Sequence, residues 1–421
     1  MISNPRIFLE DLFFEAITAA DPAKIIEPYI PKVPKGRTIV IGVGKAAAKM
    51  AAAFENNFSG SLTGIVVCPY GHRTNCRKIK VLEASHPVPD ENGLIASREI
   101  FSLVNNLTSD DLVVALICGG GSALLPAPPK GLTLKDEINL NNILLASGLP
   151  ISIMNLIRKH VSNIKGGKLA LACRPAKVLT LVLSDVPGDS LYQVASGPTL
   201  ADDSDQERAL YEIKSNNLHL PENIIMHLKS VASRCPKLED FSKFENETFM
   251  VGSAYQSLCA AKRKAEEKLI KAFILSDSIE GESKDIAHMH AAITNQIIRH
   301  GHPFEKPVVL LSGGETTVRL GETSGRGGRN TEFLLAFLLN VCSSSDIYAL
   351  AADTDGIDGS ETNAGAYCDK HTLKKLEKLN VNARDLLSKH NSFLAFEAAK
   401  TLFETGPTGT NVNDFRAILI C

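Results

Sequence analysis

The residues that could do chemistry sit in short glycine- and aspartate-rich stretches, and the most informative holds a lysine. In Ile41-Gly42-Val43-Gly44-Lys45-Ala46-Ala47 an apolar run ends, two glycines turn the chain, and an alanine-rich helix begins. A helix start offers main-chain N–H groups and a positive dipole end to an anion. A lysine there is mildly unfavourable to the helix, so Lys45 points to a phosphate, unless it is a surface side chain beside a tight turn. The segment also fits G-x-G-x-x-A, a loose dinucleotide fingerprint. The acidic residue that would hold a ribose is missing, because residues 64–68 run into Pro69-Tyr70-Gly71. A Walker lysine is absent too: Lys165-Gly166-Gly167-Lys168 is followed by Leu169, not by a hydroxyl residue.

Five further loops carry similar potential. Cys118-Gly119-Gly120-Gly121-Ser122 follows an apolar run, and its N–H groups can form an anion nest, though a flexible connector would look the same. Gly313-Gly314-Glu315 follows another, and Gly325-Arg326-Gly327-Gly328-Arg329-Asn330 supplies two guanidinium groups suited to phosphate or carboxylate oxygens. Ser184-Asp185-Val186-Pro187-Gly188-Asp189 and Asp353-Thr354-Asp355-Gly356-Ile357-Asp358 cluster carboxylates just past apolar runs. Such oxygens suit Mg²⁺, or one of them can take the proton of an attacking hydroxyl; taken singly, each loop also reads as a plain turn. His86, in Ser85-His86-Pro87-Val88-Pro89, is equally a substrate contact or part of a rigid turn. Arg158, Lys159, His160, Lys165 and Lys168 make a basic stretch that either holds an anion or faces solvent.

The elements that must position these loops are short β-branched runs alternating with helical segments. Strands are expected at 38–43, 64–68, 79–82, 111–118, 178–184, 248–251, 272–276, 307–312, 347–352 and 416–421, and helices at 46–57, 255–271 and 284–299. Several runs are apolar throughout, as in parallel sheets covered on both faces. The expected class is therefore α/β, with ligands at the carboxyl ends of strands. The chain has 421 residues, which suits two domains, and the polar stretch 236–247 suggests a division into 1–240 and 241–421. The net charge of −2 gives no pull toward nucleic acid or an anionic membrane. The 9 cysteines lack zinc spacing and read as thiols of a reducing cytoplasm. The amino-terminal stretch is broken by Glu10, Asp11 and Glu15 and reads as an amphipathic helix rather than a signal peptide.

Together the motifs VGKAA, ASHPVPD, CGGGSALL, NLIRKHVSNIKGGKLA, SDVPGDSLYQVASGPT, LSGGETTV, GRGGRN, DTDGIDG and GPTGTNVND resemble the class II glycerate kinases from about Gly42 to the carboxyl terminus. That family has an N-terminal glycerate kinase domain and a C-terminal MOFRL domain. The resemblance implies two Rossmann-like α/β lobes with mainly parallel sheets and an active-site cleft between them. It implies transfer of the ATP γ-phosphoryl group to D-glycerate, at the 2-hydroxyl, with Mg²⁺. Lys45 falls on the family's proposed catalytic lysine, Asp185 or Asp189 on its acidic residue, and Arg326 or, preferably, Arg329 on its arginine. Nucleotide contacts are expected at Gly42, Gly44, Gly119, Gly120, Gly121, Ser122, Gly313, Gly314, Glu315, Asp355 and Gly356, and metal ligands at Asp189, Asp353 and Asp355. Relatives commonly have a small residue where Asp353 stands, so local charge differs here. An NAD(P)H-dependent hydroxypyruvate reductase and a non-catalytic binding module are the rival readings, and a homodimer is left open.

Overall fold

The computed structural model of the chain describes residues 2, 4–320, 325–342 and 346–421. They form two compact units. One comprises Pro22–Ser184 and Ser190–Val251; the other comprises the residues up to Asp21, Asp185–Asp189 and Gly252–Cys421.

The first unit is built on a six-stranded sheet: β1 (Thr38–Val43), β2 (Thr63–Pro69), β3 (Ile79–Ala84), β4 (Leu112–Cys118), β5 (Lys177–Leu183) and β6 (Asn246–Gly252). The spatial order is β3-β2-β1-β4-β5-β6. The pairings of β3 with β2, β2 with β1, β1 with β4, and β4 with β5 are parallel. Every residue of β1 and β4 is buried, which is why neither shows polar alternation. From β1 the chain moves outward to β2, and from β4 it moves the other way to β5. The ends of β1 and β4 therefore flank a crevice, the usual ligand position in doubly wound sheets. A separate helical layer, with Ile151–His160 at its centre, packs Leu140, Leu144, Ile157, Ala209 and Leu228 into its own core.

The second unit has the strands β7 (Lys271–Glu282), β8 (Val308–Thr317), β9 (Ile347–Asp353), β10 (Gly365–Asp369), β11 (Leu402–Phe403) and β12 (Asp414–Ile420). Their order is β11-β10-β9-β12-β8-β7. Only β7 and β8 run parallel; the other four pairings are antiparallel. This corrects the expectation of mainly parallel sheets in both lobes, and the Rossmann-like description holds for the first sheet alone. Two of the four antiparallel pairings come from β12, which inserts between β8 and β9 and runs against both, and two from β10, which runs against β9 and β11. The apolar runs misled because they report burial of both faces, not strand direction. Phe8, Leu12 and Phe13 of the helix Pro5–Ala19 cover one face together with Leu258. Phe333 and Phe337 of the helix Arg329–Asn340 cover the other, with Ala287 and Ile297.

The amino-terminal helix thus joins the carboxyl-terminal unit, unlike a division at 240/241. Phe13 meets Phe403 and Phe415 edge-on, with ring centroids 5.0 and 5.6 Å apart. No helix among the described residues is long and apolar enough to cross a membrane.

His290 is a buried polar peg in the second unit. Its Nδ1 lies 2.8 Å from the Ile286 carbonyl and its Nε2 3.0 Å from Ser312 Oγ, and its ring stands edge-on to Phe333. Burial, with Arg416 nearby, pushes its pKa from 6.5 down to about 4. In the unfolded chain the group takes up a proton below about pH 6.5, so folding stability falls as pH drops from there to about 4. The loss should reach about 3 kcal/mol, and His290→Gln should flatten that limb of a denaturation-versus-pH curve.

Candidate active site

At the end of β1, the turn is shaped by close approach to β4. Gly44 has φ 125°, and a Cβ there would lie 2.4 Å from the Cys118 carbonyl oxygen. Lys45 N donates to Gly119 O at 2.8 Å, Ala46 N to Cys118 Sγ at 3.2 Å, and Gly44 N to Val67 O at 3.0 Å. The turn's own N–H groups are therefore committed within the protein, which corrects the expectation that this loop grips an anion through its backbone. Gly42 also has another role: it lies inside β1, where a Cβ would sit 2.8 Å from Leu116 O.

The backbone donors lie on the neighbouring turn. Gly120 adopts φ 80°, and the N–H groups of Gly120 and Gly121 have no acceptor among the described residues. A Cβ on Gly120 would come 3.3 Å from the His86 ring and 3.4 Å from Lys45 Cγ, so both side chains flank this turn. Lys45 is half-buried, and its Nζ has no ion pair or hydrogen bond among the described residues. His86 stays accessible to water, yet the protein mass around it, then Lys45, His72 and Arg158, push its pKa down to about 4. At neutral pH it is an uncharged donor and acceptor.

Behind the turn, Ser122 Oγ lies 2.7 Å from Ser196 Oγ, which donates to Asn155 Oδ1 at 3.1 Å. Ala195 and Ser196 both take left-handed backbone, with φ 51° and 60°, an uncommon state for residues with side chains. Gly121 permits it, since a Cβ there would lie 2.5 Å from Ala195 Cβ. The lysines of the basic stretch are neither solvated nor free. Lys159 pairs with Asp202 at 2.5 Å, Lys165 pairs with Glu137 at 2.7 Å, and Lys168 donates to the carbonyls of Lys159 and Ser162.

The second unit gathers its expected residues around Arg329. Nε donates to Asp414 at 2.6 Å, Nη1 to Glu315 at 3.0 Å and Nη2 to Asp353 at 2.5 Å. Asp414 also meets Arg416 and Asn330. Asp358 accepts from the backbone N–H groups of Asn330 and Thr331 at the start of the helix Arg329–Asn340. Arg329, expected on a transferring group, is here a hub for carboxylates, and Arg326 is paired with Glu361 at 2.7 Å over the Phe393 ring. The carboxylates respond differently. Burial raises the pKa of Asp353, with Asp355 and Asp414 adding to the rise against Arg329. Asp414, despite its own burial, is held low by Arg329 and Arg416 together.

Gly313 and Gly314 lie within β8, not in a loop after it. Gly314 has φ 116°, and a Cβ would lie 2.2 Å from the Ile279 carbonyl, so this glycine admits the irregular partner strand β7. Gly356, with φ 96°, similarly lets the Gly406 carbonyl approach. In the loop after β5, Asp189 has φ 55° and Asn413 Nδ2 donates to the Asp185 carbonyl oxygen. Among the described residues no three His, Cys, Asp or Glu side chains are grouped to hold a metal ion, so Asp189, Asp353 and Asp355 are not a preformed centre. Nothing in the GPTGTNVND motif itself marks Asp414 and Asn413 as the links to Arg329 and Asp185. Asn155, buried beside Leu156 and Ile157 in the helix Ile151–His160, makes the Ser196 contact, which nothing in its own motif marks.

Arg329→Met should cost about 3–5 kcal/mol, because it leaves buried carboxylates without their cation. Those carboxylates would then take up protons in the folded state, so the deficit against wild type should narrow as pH falls. Denaturant titrations at two pH values measure both effects.

Residues 8–229 match a family described as a domain of unknown function, DUF4147, and residues 308–414 match the MOFRL family. The chain is 38% identical to the glycerate 2-kinase of Pyrococcus horikoshii, over 95% of this chain and 93% of that protein. It is 36% identical to the D-glycerate 2-kinase of Thermotoga maritima, over 95% and 94%. The crystal structure of a Thermotoga maritima glycerate kinase is similar with a TM-score of 0.89, at 34% identity, over 98% of this chain and 99% of that one. A protein of Agrobacterium vitis provisionally named a hydroxypyruvate reductase is 45% identical over 99% of this chain and 95% of its own length.

Proposed function

We propose that this chain, which belongs to the class II glycerate kinase family, transfers the ATP γ-phosphoryl group to D-glycerate and gives 2-phosphoglycerate. The observation that carries the reading is Lys45, whose ammonium has no partner among the described residues beside the Gly120 and Gly121 N–H groups at the sheet's crevice. Phosphoryl transfer asks little covalent chemistry of a protein. It needs in-line positioning and neutralisation of charge on the moving group.

Lys45 supplies a full positive charge for that group, and the two glycines supply fixed dipoles. His86, neutral near pH 7, can hydrogen-bond a substrate hydroxyl without adding a charge. Asp185 or Asp189 is proposed to orient the attacking hydroxyl and take its proton. Mg²⁺, when bound with the nucleotide, neutralises phosphate oxygens, and the ion usually takes only one or two protein carboxylates. Asp355 and Asp189 are the proposed carboxylates for it. Asp353, tied to Arg329, is the weaker candidate. A reducing cytoplasm fits the 9 free thiols.

The reductase name of one relative is the rival. Against it, β2 ends without a carboxylate to hold a ribose. Lys45→Ala should lower turnover by about 10²–10³ at saturating ATP and glycerate, measured as ADP release coupled to phosphoglycerate formation. Near-normal turnover would remove Lys45 from the mechanism.

A further inference from the structure

Arg158 stands apart from the other cations of its stretch. Lys159 and Lys165 face buried carboxylates, and Lys168 closes two main-chain carbonyls. The hydrogen-bond acceptors of Arg158 are two neutral amides: Nη1 donates to Asn155 Oδ1 at 3.2 Å and Nη2 to Asn141 Oδ1 at 2.5 Å. Its buried Nε–H has no acceptor among the described residues. A guanidinium carries five N–H donors, so most of this one is unassigned. Leaving such a charge half-buried without an anion is unfavourable. The nearest negative influence, Glu137, is already tied to Lys165.

The two amides are themselves fixed. Asn141 Nδ2 donates to Pro87 O at 3.0 Å, in the turn that carries His86. Asn155 Nδ2 donates to Gln193 O at 3.2 Å and Oε1 at 3.0 Å, while its Oδ1 receives Ser196 Oγ. Each amide oxygen is thereby turned toward Arg158, and the guanidinium plane is held from two sides. Through Ser196 and Ser122 the network reaches the triple-glycine turn. Asn141 joins Arg158 to the Pro87 carbonyl beside His86, whose ring flanks the Gly120 turn together with Lys45, so two hydrogen bonds link the guanidinium to the turn that carries His86.

We propose that Arg158 receives the carboxylate of the acceptor, a short 2-hydroxy acid, while Lys45 and the turn at Gly120 and Gly121 serve the phosphoryl donor. This assignment rests on the kinase reading. A planar, pre-set guanidinium matches the two coplanar oxygens of a carboxylate. The donor phosphates have Lys45 and main-chain N–H groups of their own. Asn141 and Asn155 are then positioning residues, which hold the plane of the fork.

The test is calorimetric titration of D-glycerate into the full chain holding ADP, for wild type, Arg158→Gln and Arg158→Lys, with glycerol as the uncharged control. Wild type should bind glycerate, and Arg158→Gln should weaken that binding about 10- to 100-fold with ADP affinity unchanged. Arg158→Lys should fall in between, because it keeps the charge and loses the fork. Glycerol should bind all three alike. Wild-type glycerate affinity in Arg158→Gln, an equal loss of ADP affinity, or no glycerate binding by wild type would overturn the assignment. If Arg158→Gln fails to fold, Arg158→Lys with unchanged glycerate affinity overturns it instead. Arg158-dependent binding without phosphoglycerate formation would leave the assignment standing and sink the kinase reading.

Discussion

The parallel pairing of β1 with β4 is the constraint on which the candidate site depends. Their chains leave in opposite directions, so a crevice opens just past both strand ends. The two turns must then share a narrow gap. Gly44 has no room for a side chain against Cys118, and Lys45 N is fastened to Gly119 O. The lysine side chain and the glycine N–H groups consequently meet as a fixed pair. Neither turn alone would do this: the first has the charge but has committed its N–H groups, and the second has N–H groups but no charge.

Charge balance plays the organising role in the second unit. Arg329 holds the ends of β8, β9 and β12 through Glu315, Asp353 and Asp414. Asp358 fixes the start of the helix that carries Arg329, so strand ends and helix start are one network. Breaking one member would disturb several elements, since each buried ion depends on its partners for hydration lost on folding. The acidic residue at Asp353 is then not an isolated departure but the counter-charge of Arg329.

Much of this was legible in the sequence. β1 is found at the expected residues, and Lys45 fell beside the triple-glycine turn as strand–loop–helix reasoning requires. Strand direction was not legible, because IYALAA and VVLL are apolar for the same reason in either orientation: helices cover both faces. Short strands such as β11 carry too few residues to show a pattern. Glycine roles were also ambiguous. Gly120 and Gly314 look alike in sequence, yet one bends the turn beside Lys45 and His86 and the other admits a neighbouring backbone. Arg158 and Lys159 are adjacent, and only tertiary contacts reveal that one is neutralised and the other is not.

The central claim is that the crevice anchored on Lys45 serves phosphoryl transfer to a hydroxy acid. Phosphorus NMR of the full chain with ATP, Mg²⁺ and D-glycerate tests it most directly. The account predicts loss of the ATP γ resonance and a new phosphomonoester coupled to a single methine proton, the signature of the 2-phosphate. Intact ATP and no phosphoester, alongside NADH consumption with hydroxypyruvate, would contradict it.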